Sequence, residues 1–395
     1  MAHQKNLADL LGKRRQIIHL MLRQGSVTRA DVMAATGASQ PTVTQWLREL
    51  INADIVHEVG ISQDGPALGR PRVLLELNPE AAWVGAIHLM GVMGDVGLVN
   101  LKGEVVESYS IVFESLDMSY SQKLLEMLMA KFYEWIQERK IPADRILGLG
   151  VATSGPVDNE RGTVASYDAS SGTSWLRTDF PVRARLATCT TIPFLIETNA
   201  WAIALSERWF GSGYNNFVLI HVGEGIAAGT VINHQLYRGG GYAGELLSVS
   251  IVPEKAASLE HGKRYQLHDI VARSKVLARL SPEKGFTKMG QVVAAARTGD
   301  SEALAVLHEC AEAVAQFCVP IANLLDLEAI ILSGTMFQLP ALVAYIKEYL
   351  AKNTFTGLME NRSPIVRPST FGVDSGLLGA AGLVFDQVFN YRKPD

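Results

Sequence analysis

The sequence predicts an α/β protein in which a small N-terminal module of helices and one hairpin precedes a larger, internally duplicated α/β fold. Three observations support this. At 395 residues the chain is too long for one core. Residues 26–53 hold two short helical patterns joined at a glycine, and an order of three strands, a helix and a strand occurs twice after residue 82. We expect domains at 1–80, 81–200 and 201–395, with a helix near 376–390 returning to the second domain.

Two helices joined by a tight turn are predicted between residues 26 and 53. Thr28 is a suitable N-cap for the first helix, and Asp31 stands at the reciprocal position of a capping box. Gly37 can end that helix in a left-handed conformation. Ser39 is the expected cap of the second helix, with Pro41 in its first turn. The apolar residues of the second helix recur at helical spacing and predict a buried stripe: Val43, Trp46, Leu47, Leu50 and Ile51.

The opposite face of the second helix is polar and predicts a DNA-reading surface. Its side chains can bond to phosphates or base edges: Gln40, Thr42, Thr44, Gln45 and Arg48. A helix-turn-helix explains this arrangement, and a generic helical hairpin is the alternative. One amphipathic helix is expected ahead of it over residues 7–23, with these residues inward: Leu10, Leu11, Ile17, Ile18 and Leu22.

A hairpin is predicted after the two helices. Residues 54–61 and 72–77 have the composition of paired strands, and the loop between them is polar and rich in Gly and Pro. This is the pattern of a wing. Gly69, Arg70 and Arg72 lie near its tip, where the guanidinium groups suit a phosphate backbone or a narrow minor groove. The alternative is an ordinary solvated loop.

Charge is distributed unevenly along the chain. Residues 1–53 contain seven Lys and Arg against three Asp and Glu, whereas the whole chain carries −4. A basic N-terminal module on an acidic body fits a nucleic-acid-binding module with a regulatory body. The three cysteines show no C-x-x-C spacing, and no signal-peptide pattern or long apolar run is present. We expect a cytoplasmic protein with structural thiols and no membrane span.

The remainder of the chain repeats one α/β layout. Strands are predicted at 83–90, 94–100, 104–112 and 146–152, with a helix at 119–139. A second trio follows at 216–222, 229–232 and 235–238, and a later strand at 329–334. Two copies of this layout indicate the duplicated actin-like, sugar-kinase-like (ribonuclease H-like) fold. Ligands of such folds bind at strand C-termini in the crevice between the halves.

In its order of motifs the chain resembles the ROK family (repressors, open reading frames, kinases), in its transcription-regulator branch. The resemblance covers essentially the whole chain. It rests on Gly69-Arg70-Pro71, 154–158, 223–229, 236–240, 243–245, 323–326 and 375–381.

The resemblance also implies that the kinase chemistry of this family is absent. Family kinases open the fold with Asp-x-Gly-x-Thr, and His88, Met90 and Val92 stand at those positions. Glu224 replaces a Thr of the second phosphate loop, and its charge would repel a triphosphate. Asn199 stands where the kinases have the Asp that takes a proton from the sugar hydroxyl, which an amide cannot do. We therefore expect a non-enzymatic chain with no nucleotide and no cofactor.

The zinc site of the family is also expected to be missing. Ser248 occupies the position of the zinc-binding His, and the stretch 253–265 holds no cysteine. His261 and His268 are isolated and expected at the surface or at helix starts. Apolar packing around Leu246, Leu247 and Leu259 is expected to order this region instead of a metal.

A polyol site is what the resemblance leaves in place. Glu245 matches the family glutamate that holds sugar hydroxyls, and Asn199 and Glu197 match the facing strand end. Asp168, Ser171 and Ser248 complete the candidate set, because the segment 170–175 departs from the family's sugar loop. The alternative is that Glu245 only caps or bridges its own segment.

The resulting hypothesis is a repressor that binds a double-stranded DNA operator as a homodimer and is controlled by a sugar or sugar derivative. A sugar kinase with an appended DNA-binding module is the competing hypothesis, and control by a protein partner is a third. Repressor or activator, dimer or tetramer, and the effector's identity are left open by the sequence.

Overall fold

The computed structural model describes residues 2–61, 72–90, 93–112, 118–211, 213–246, 249–252, 259–260, 262–355 and 363–389, except for residues 166–178. The chain forms two compact units. Unit 1 comprises Met1–Ala165, Thr178–Gly213 and Gly376–Asp395, and unit 2 comprises Ser166–Arg177 and Tyr214–Ser375. The N-terminal module is thus part of the same unit as the first α/β half, and the boundary expected at residue 200 moves to residue 213.

Thirteen α-helices are described within those residues. They are α1 (Ala2–Lys13), α2 (Arg15–Gln24), α3 (Arg29–Thr36), α4 (Gln40–Asn52), α5 (Met118–Glu138), α6 (Val182–Cys189), α7 (Asn199–Phe210), α8 (Leu267–Val271), α9 (Arg273–Ala278), α10 (Met289–Arg297), α11 (Ser301–Leu325), α12 (Pro340–Asn353) and α13 (Ser375–Phe389).

The strands of unit 1 are β1 (Val27–Thr28), β2 (Val56–Ile61), β3 (Val73–Leu77), β4 (Trp83–Met90), β5 (Met93–Asn100), β6 (Val105–Val112), β7 (Ile146–Thr153), β8 (Val157–Asp158), β9 (Thr163–Ala165), β10 (Asp179–Phe180) and β11 (Phe194–Thr198). Those of unit 2 are β12 (Phe217–Val222), β13 (Ile226–Ile232), β14 (Gln235–Tyr237), β15 (Ser250–Ile251), β16 (Tyr265–Gln266), β17 (Ala329–Ser333) and β18 (Ile365–Pro368).

The N-terminal module is a winged helix. Helices α1 to α4 accompany a small antiparallel sheet of order β1-β3-β2, which includes the predicted hairpin. The single helix expected over residues 7–23 is wrong: the helix breaks at Arg14, and α2 begins at Arg15. Leu11, Ile17 and Ile18 are buried as expected, and Met21 joins them.

The duplicated fold is confirmed by the two five-stranded sheets. In unit 1 the order is β11-β7-β4-β5-β6, in which β11, β7 and β4 are parallel and β5 and β6 are antiparallel. In unit 2 the order is β14-β13-β12-β17-β18, again with three parallel and two antiparallel strands. Each sheet has its own apolar core, and α5 covers one face of the sheet in unit 1.

The C-terminal helix α13 packs in unit 1 through glycine contacts with its neighbours. A Cβ atom added to Gly150 of β7 would lie 1.8 Å from the carbonyl oxygen of Ala380, so strand and helix backbones touch there. A Cβ added to Gly379 would lie 2.7 Å from the carbonyl carbon of Ala202 on α7. Strand β7, α7 and α13 therefore form one tightly packed group.

Helix α11 is the long apolar helix of unit 2. Among the described helices, it alone has the length and mean hydropathy that a membrane span requires, with a value of 1.4 over its most apolar window. Of that window, 61% is buried within the protein. Cys310 and Cys318 lie on its inner face, and burial raises the pKa of the Cys318 thiol to about 12, so this thiol is an apolar core group.

Candidate functional site

The two ends of α3 show the local conformations that the sequence predicts. Thr28 and Asp31 form a capping box: the Thr28 N–H donates to Asp31 Oδ2 at 2.7 Å, and the Asp31 N–H donates to Thr28 Oγ1 at 3.3 Å. Gly37 ends α3 at φ 67°, a left-handed conformation that glycine adopts without strain. Both ends of α3 are therefore defined by its own cap residues.

Helix α4 presents a polar face to solvent. Gln40, Gln45 and Arg48 are exposed, Thr42 and Thr44 are half-buried, and the opposite side buries Val43, Leu47 and Leu50. The capping bond predicted for Ser39 is wrong: its hydroxyl lies 2.8 Å from Thr42 Oγ1 and accepts no backbone N–H. Trp46 and Ile51 are only half-buried. The polar surface thus projects from a rigid apolar base.

Arg14 anchors α4 to the first two helices. Its Nη2 donates to Glu49 Oε2 at 2.5 Å, and its guanidinium lies 5.0 Å from the centre of the Trp46 ring. The hydrogen bond from Arg14 lowers the pKa of Glu49. The sequence analysis did not identify this structural role of Arg14.

The wing strands are paired, but the tip of the wing lies outside the described residues. Gly69 and Arg70 belong to that undescribed part. Arg72 is described and exposed immediately before β3. The guanidinium of Arg72 therefore projects from the strand that connects the wing to the module.

In unit 1, the C-terminal ends of the parallel strands bring candidate side chains into line. His88 of β4, Ala152 of β7 and Glu197 of β11 occupy one register across the sheet. Adjacent strands are about 4.8 Å apart, so the Cα atoms of His88 and Glu197 are about 10 Å apart. His88 and Glu197 are each 6% exposed.

Asn199 begins α7 next to this row of side chains. Its Nδ2 donates to Ser154 Oγ at 3.1 Å, whereas its Oδ1 is buried with no hydrogen-bond partner among the described residues. A buried acceptor without a partner is unfavourable by roughly 1–3 kcal/mol. A ligand hydroxyl donated to this oxygen would remove that penalty. Ser154 is a candidate positioning residue that the sequence reasoning did not include.

His88 occupies the first position of the kinase motif and is packed among protein groups. Its Nδ1 lies 3.5 Å from Asp95 Oδ2, and a Cβ added to Gly376 would lie 2.2 Å from the same nitrogen. Burial alone would raise the pKa of Asp95, but hydrogen bonds from His88 and Ser110 outweigh it and lower that pKa. The imidazole thus fills the space beside the start of α13.

In unit 2, the predicted glutamate is held on a strand edge. Glu245 pairs with Ala227 in an isolated antiparallel bridge, and its N–H donates to the carbonyl of Tyr242 at 3.2 Å. The preceding Gly244 has φ 86°, and a Cβ there would lie 2.0 Å from the Ala228 carbonyl oxygen. Burial raises the pKa of the Glu245 carboxyl. Asp168, Ser171 and Ser248 lie outside the described residues.

The second phosphate loop contains an ion pair that the sequence did not reveal. Arg273, the first residue of α9, donates from Nε and Nη2 to the two oxygens of Glu224 at 2.6 and 2.7 Å. Its own N–H donates to the carbonyl of Gly223 at 3.1 Å. Glu224 therefore carries a bidentate cation partner within its own unit.

Replacing Glu245 with Gln is expected to raise the midpoint of thermal unfolding at neutral pH. Because burial raises the folded-state pKa of Glu245 above 4.5, the ionised carboxylate is disfavoured in the folded protein. The stability that protonation provides is lost as pH rises through that raised pKa. The difference in unfolding midpoint between Glu245→Gln and the wild type should therefore shrink from about pH 7.5 towards about pH 5.

The control for this prediction is Glu283→Gln, at an exposed carboxylate of unit 2. A variant that is less stable than the wild type at neutral pH, or a pH-independent difference, would contradict the assignment.

The region expected to replace the zinc site is packed by apolar side chains. Leu246 is buried in the core of unit 2 and Leu259 packs against it, while Leu247 and His261 lie outside the described residues. His268 is the second residue of α8, which confirms a position at a helix start; the side chain is 4% exposed, and burial lowers its pKa. Among the described residues, no group of three or more His, Cys, Asp or Glu side chains is arranged to hold a metal ion.

Two families of known proteins match different parts of the chain. Residues 87–387 match the ROK family, and residues 12–58 match the arsR family of bacterial regulatory proteins. The xylose repressor of Bacillus subtilis is 22% identical over 375 residues, which cover 93% of each chain. A glucokinase of Halalkalibacterium halodurans is 24% identical and covers 79% of this chain and 97% of its own length. The crystal structure of a ROK family transcriptional regulator, a homologue of the E. coli MLC protein, superposes with a TM-score of 0.69 at 20% identity, over 98% of this chain and 96% of its own.

Proposed function

The chain belongs to the ROK family, and from that premise we propose that it is a DNA-binding transcriptional repressor controlled by a sugar or sugar derivative. The observation that carries the proposal is the exposed polar face of α4, whose opposite side packs in the N-terminal module beside the capped helix α3. This module belongs to the same compact unit as the α/β half that holds Asn199. A helix held in this way can enter the major groove without the conformational disorder of a free helix.

The DNA-binding surface combines the recognition helix and the wing. We assign base and phosphate contacts to these residues: Gln40, Thr42, Thr44, Gln45, Arg48, Gly69, Arg70 and Arg72. One such module buries about 600–1,000 Å² of protein surface on DNA, which is the lower range for specific binding. We therefore propose that a homodimer binds two half-sites, in the cytoplasm.

The effector is proposed to be a neutral polyol. Glu245, Glu197 and Asn199 supply acceptors for hydroxyl donors, with Asp168, Ser171 and Ser248 as further contacts. Each carboxyl group would disfavour a phosphate group on a ligand bound beside it, since like charges repel where solvent is scarce. Because the relatives of the chain include proteins named xylose repressor, D-xylose is the first probe.

The same residues support a non-enzymatic chain. Asn199 cannot accept a hydroxyl proton at a useful pKa. The packed His88 leaves no carboxylate at the first kinase position. Transfer of a phosphoryl group requires a positioned base, and an amide stands at the position that the family kinases give to that base.

The proposal is tested by selecting duplex DNA with the full-length protein from a random library. We expect enrichment of an inverted repeat with half-sites about 10 base pairs apart, because a two-fold dimer presents two recognition helices to one face of the duplex. Binding to that duplex should weaken steeply with salt. If no sequence is enriched at low ionic strength, the proposal fails.

A sugar kinase with an appended DNA-binding module is the second candidate, and the likeness to a glucokinase over most of its length favours it. A coupled assay of ADP release, with D-glucose and D-xylose as substrates, separates the two. Release above the sugar-free background would establish the kinase and refute the non-enzymatic assignment.

A further inference from the structure

We infer that α7 carries the effect of sugar binding to the recognition helix through a contact between Trp209 and His19. This inference rests on the proposed function, because it supplies the route by which one site of unit 1 controls the other. Every residue on the route lies in unit 1.

The route begins at the candidate effector residues. Helix α7 starts at Asn199, directly after the strand that carries Glu197, and runs for 12 residues, or about 18 Å. Its residues from Asn199 to Trp209 are all buried. A displacement of the first turn by a ligand therefore cannot be absorbed by solvent-exposed side chains along the helix.

Close packing against α13 makes α7 part of a rigid pair. A Cβ on Gly379 would lie 2.7 Å from the backbone of Ala202, and one on Gly382 would lie 3.2 Å from the backbone of Leu205. Arg208 of α7 also pairs with Asp386 of α13, and both are largely buried. Packed interiors transmit displacement because they have little free volume. The two helices are therefore expected to shift together.

The far end of the pair meets the winged helix. The ring centroids of Trp209 and His19 are 5.4 Å apart, and the two rings are nearly perpendicular. The ring of Phe389 on α13 lies 5.5 Å from the Trp209 indole. Arg23, near the end of α2, lies against Gly213: a Cβ there would be 2.5 Å from Arg23 Nη2. Helix α2 thus rests on the end of α7 and on the segment that follows it.

Helix α2 is in turn linked to the recognition helix. Arg14, the N-cap residue of α2, bonds to Glu49 and stacks over Trp46, both on α4. A shift of α2 against α7 would therefore change the position of the face that carries Gln45 and Arg48. Rigid-body shifts of about 1–2 Å between packed helices are sufficient for allosteric control, and such coupling changes affinity about 5–150-fold.

The contact is tested with His19→Ala, which removes the imidazole from a half-buried position and leaves Trp209 in place. The measured quantity is the ratio of DNA dissociation constants with and without saturating D-xylose. We expect a ratio above about 5 for the wild type and near 1 for His19→Ala. The affinity of His19→Ala for D-xylose alone should remain that of the wild type. His19→Phe, which keeps a ring against Trp209, should restore the ratio. Gln16→Ala, an exposed position on the same helix, should leave it unchanged.

A measurement without sugar makes the test independent of the effector's identity. In a double-mutant cycle, the DNA affinity of each variant is measured without sugar. The fold-change in the double variant His19→Ala/Asn199→Ala should differ by more than about threefold from the product of the two single fold-changes, whereas for distant, independent sites it equals that product. The inference would be overturned if the double variant lay within threefold of that product and if His19→Ala kept the wild-type ratio of DNA dissociation constants with and without D-xylose. The proposed function would then remain intact. A wild-type protein that binds no duplex would refute the function first.

Discussion

Replacing Arg48 with alanine is expected to weaken binding to the selected duplex by about tenfold or more, the largest effect of any single surface change. Arg48 is exposed on the polar face of α4 and forms no ion pair among the described residues, so its guanidinium is available to DNA. An arginine that contacts a base edge or a phosphate typically contributes about 1–3 kcal/mol. Fluorescence anisotropy of the labelled duplex, measured at several salt concentrations, gives both the loss of affinity and the kind of contact that was lost.

The two origins give different signatures. Loss of a phosphate contact lowers affinity for all sequences and reduces the salt slope by about 1, whereas loss of a base contact relaxes specificity at one position. Arg264→Ala is the matched control, because it removes the same charge from an exposed site on unit 2. Equal losses in the two variants would show that only net charge matters and would remove α4 from the interface.

Replacing Gly150 with alanine is expected to lower the midpoint of thermal unfolding by at least about 6 °C. The added Cβ would lie 1.8 Å from the carbonyl oxygen of Ala380, a backbone atom that cannot rotate away. Helix α13 would have to move off β7, and such overpacking is unfavourable by about 3 kcal/mol or more. For a unit of this size, each kcal/mol changes the midpoint by about 2–4 °C.

Gly290→Ala is the control for this change. Gly290 lies in α10, and a Cβ there would meet no atom within 4 Å. Alanine favours a helix over glycine by about 1 kcal/mol, so this variant should be at least as stable as the wild type. If Gly150→Ala unfolds at the wild-type temperature, then α13 does not pack on β7 as described.

Local chemistry explains which elements of the winged helix could be predicted. The capping box at Thr28 and Asp31 and the left-handed Gly37 depend on residues at most four positions apart, and the structure confirms both features. Most of the predicted strands of both sheets lie within a few residues of the observed ones, because their apolar runs end at turn residues. The doubled order of strands predicted the duplicated fold correctly.

The features that the sequence missed depend on contacts between distant residues. The helix breaks at Arg14, whose ion-pair partner Glu49 on α4 lies 35 positions away. Arg273 and Glu224 are 49 positions apart, and no local pattern pairs them. His268 lies at the start of α8, one of the two expected positions, but its burial depends on the packing of α8 into the core of unit 2. Such pairings follow only from the tertiary fold.

The candidate site was predictable only as a set of residue types. Alignment of His88 with Glu197 across β7 follows from strand register, which the sequence does not specify. The unpartnered Asn199 Oδ1 and its neighbour Ser154 likewise emerge only once α7 is positioned at the end of β11. The unpartnered Asn199 oxygen, held in place by the bond from Asn199 Nδ2 to Ser154 Oγ, is the physical basis of the proposed sugar contact.

The most direct test of the account is the dissociation constant of the full-length protein for the selected duplex, measured with and without D-xylose and other neutral monosaccharides. The account predicts that at least one of these sugars weakens DNA binding about 5–150-fold without being consumed, and that Glu245→Ala, which removes the acceptor oxygens, abolishes this response while sugar-free DNA binding persists. An affinity that no neutral monosaccharide alters, or a response that survives in Glu245→Ala, would contradict it.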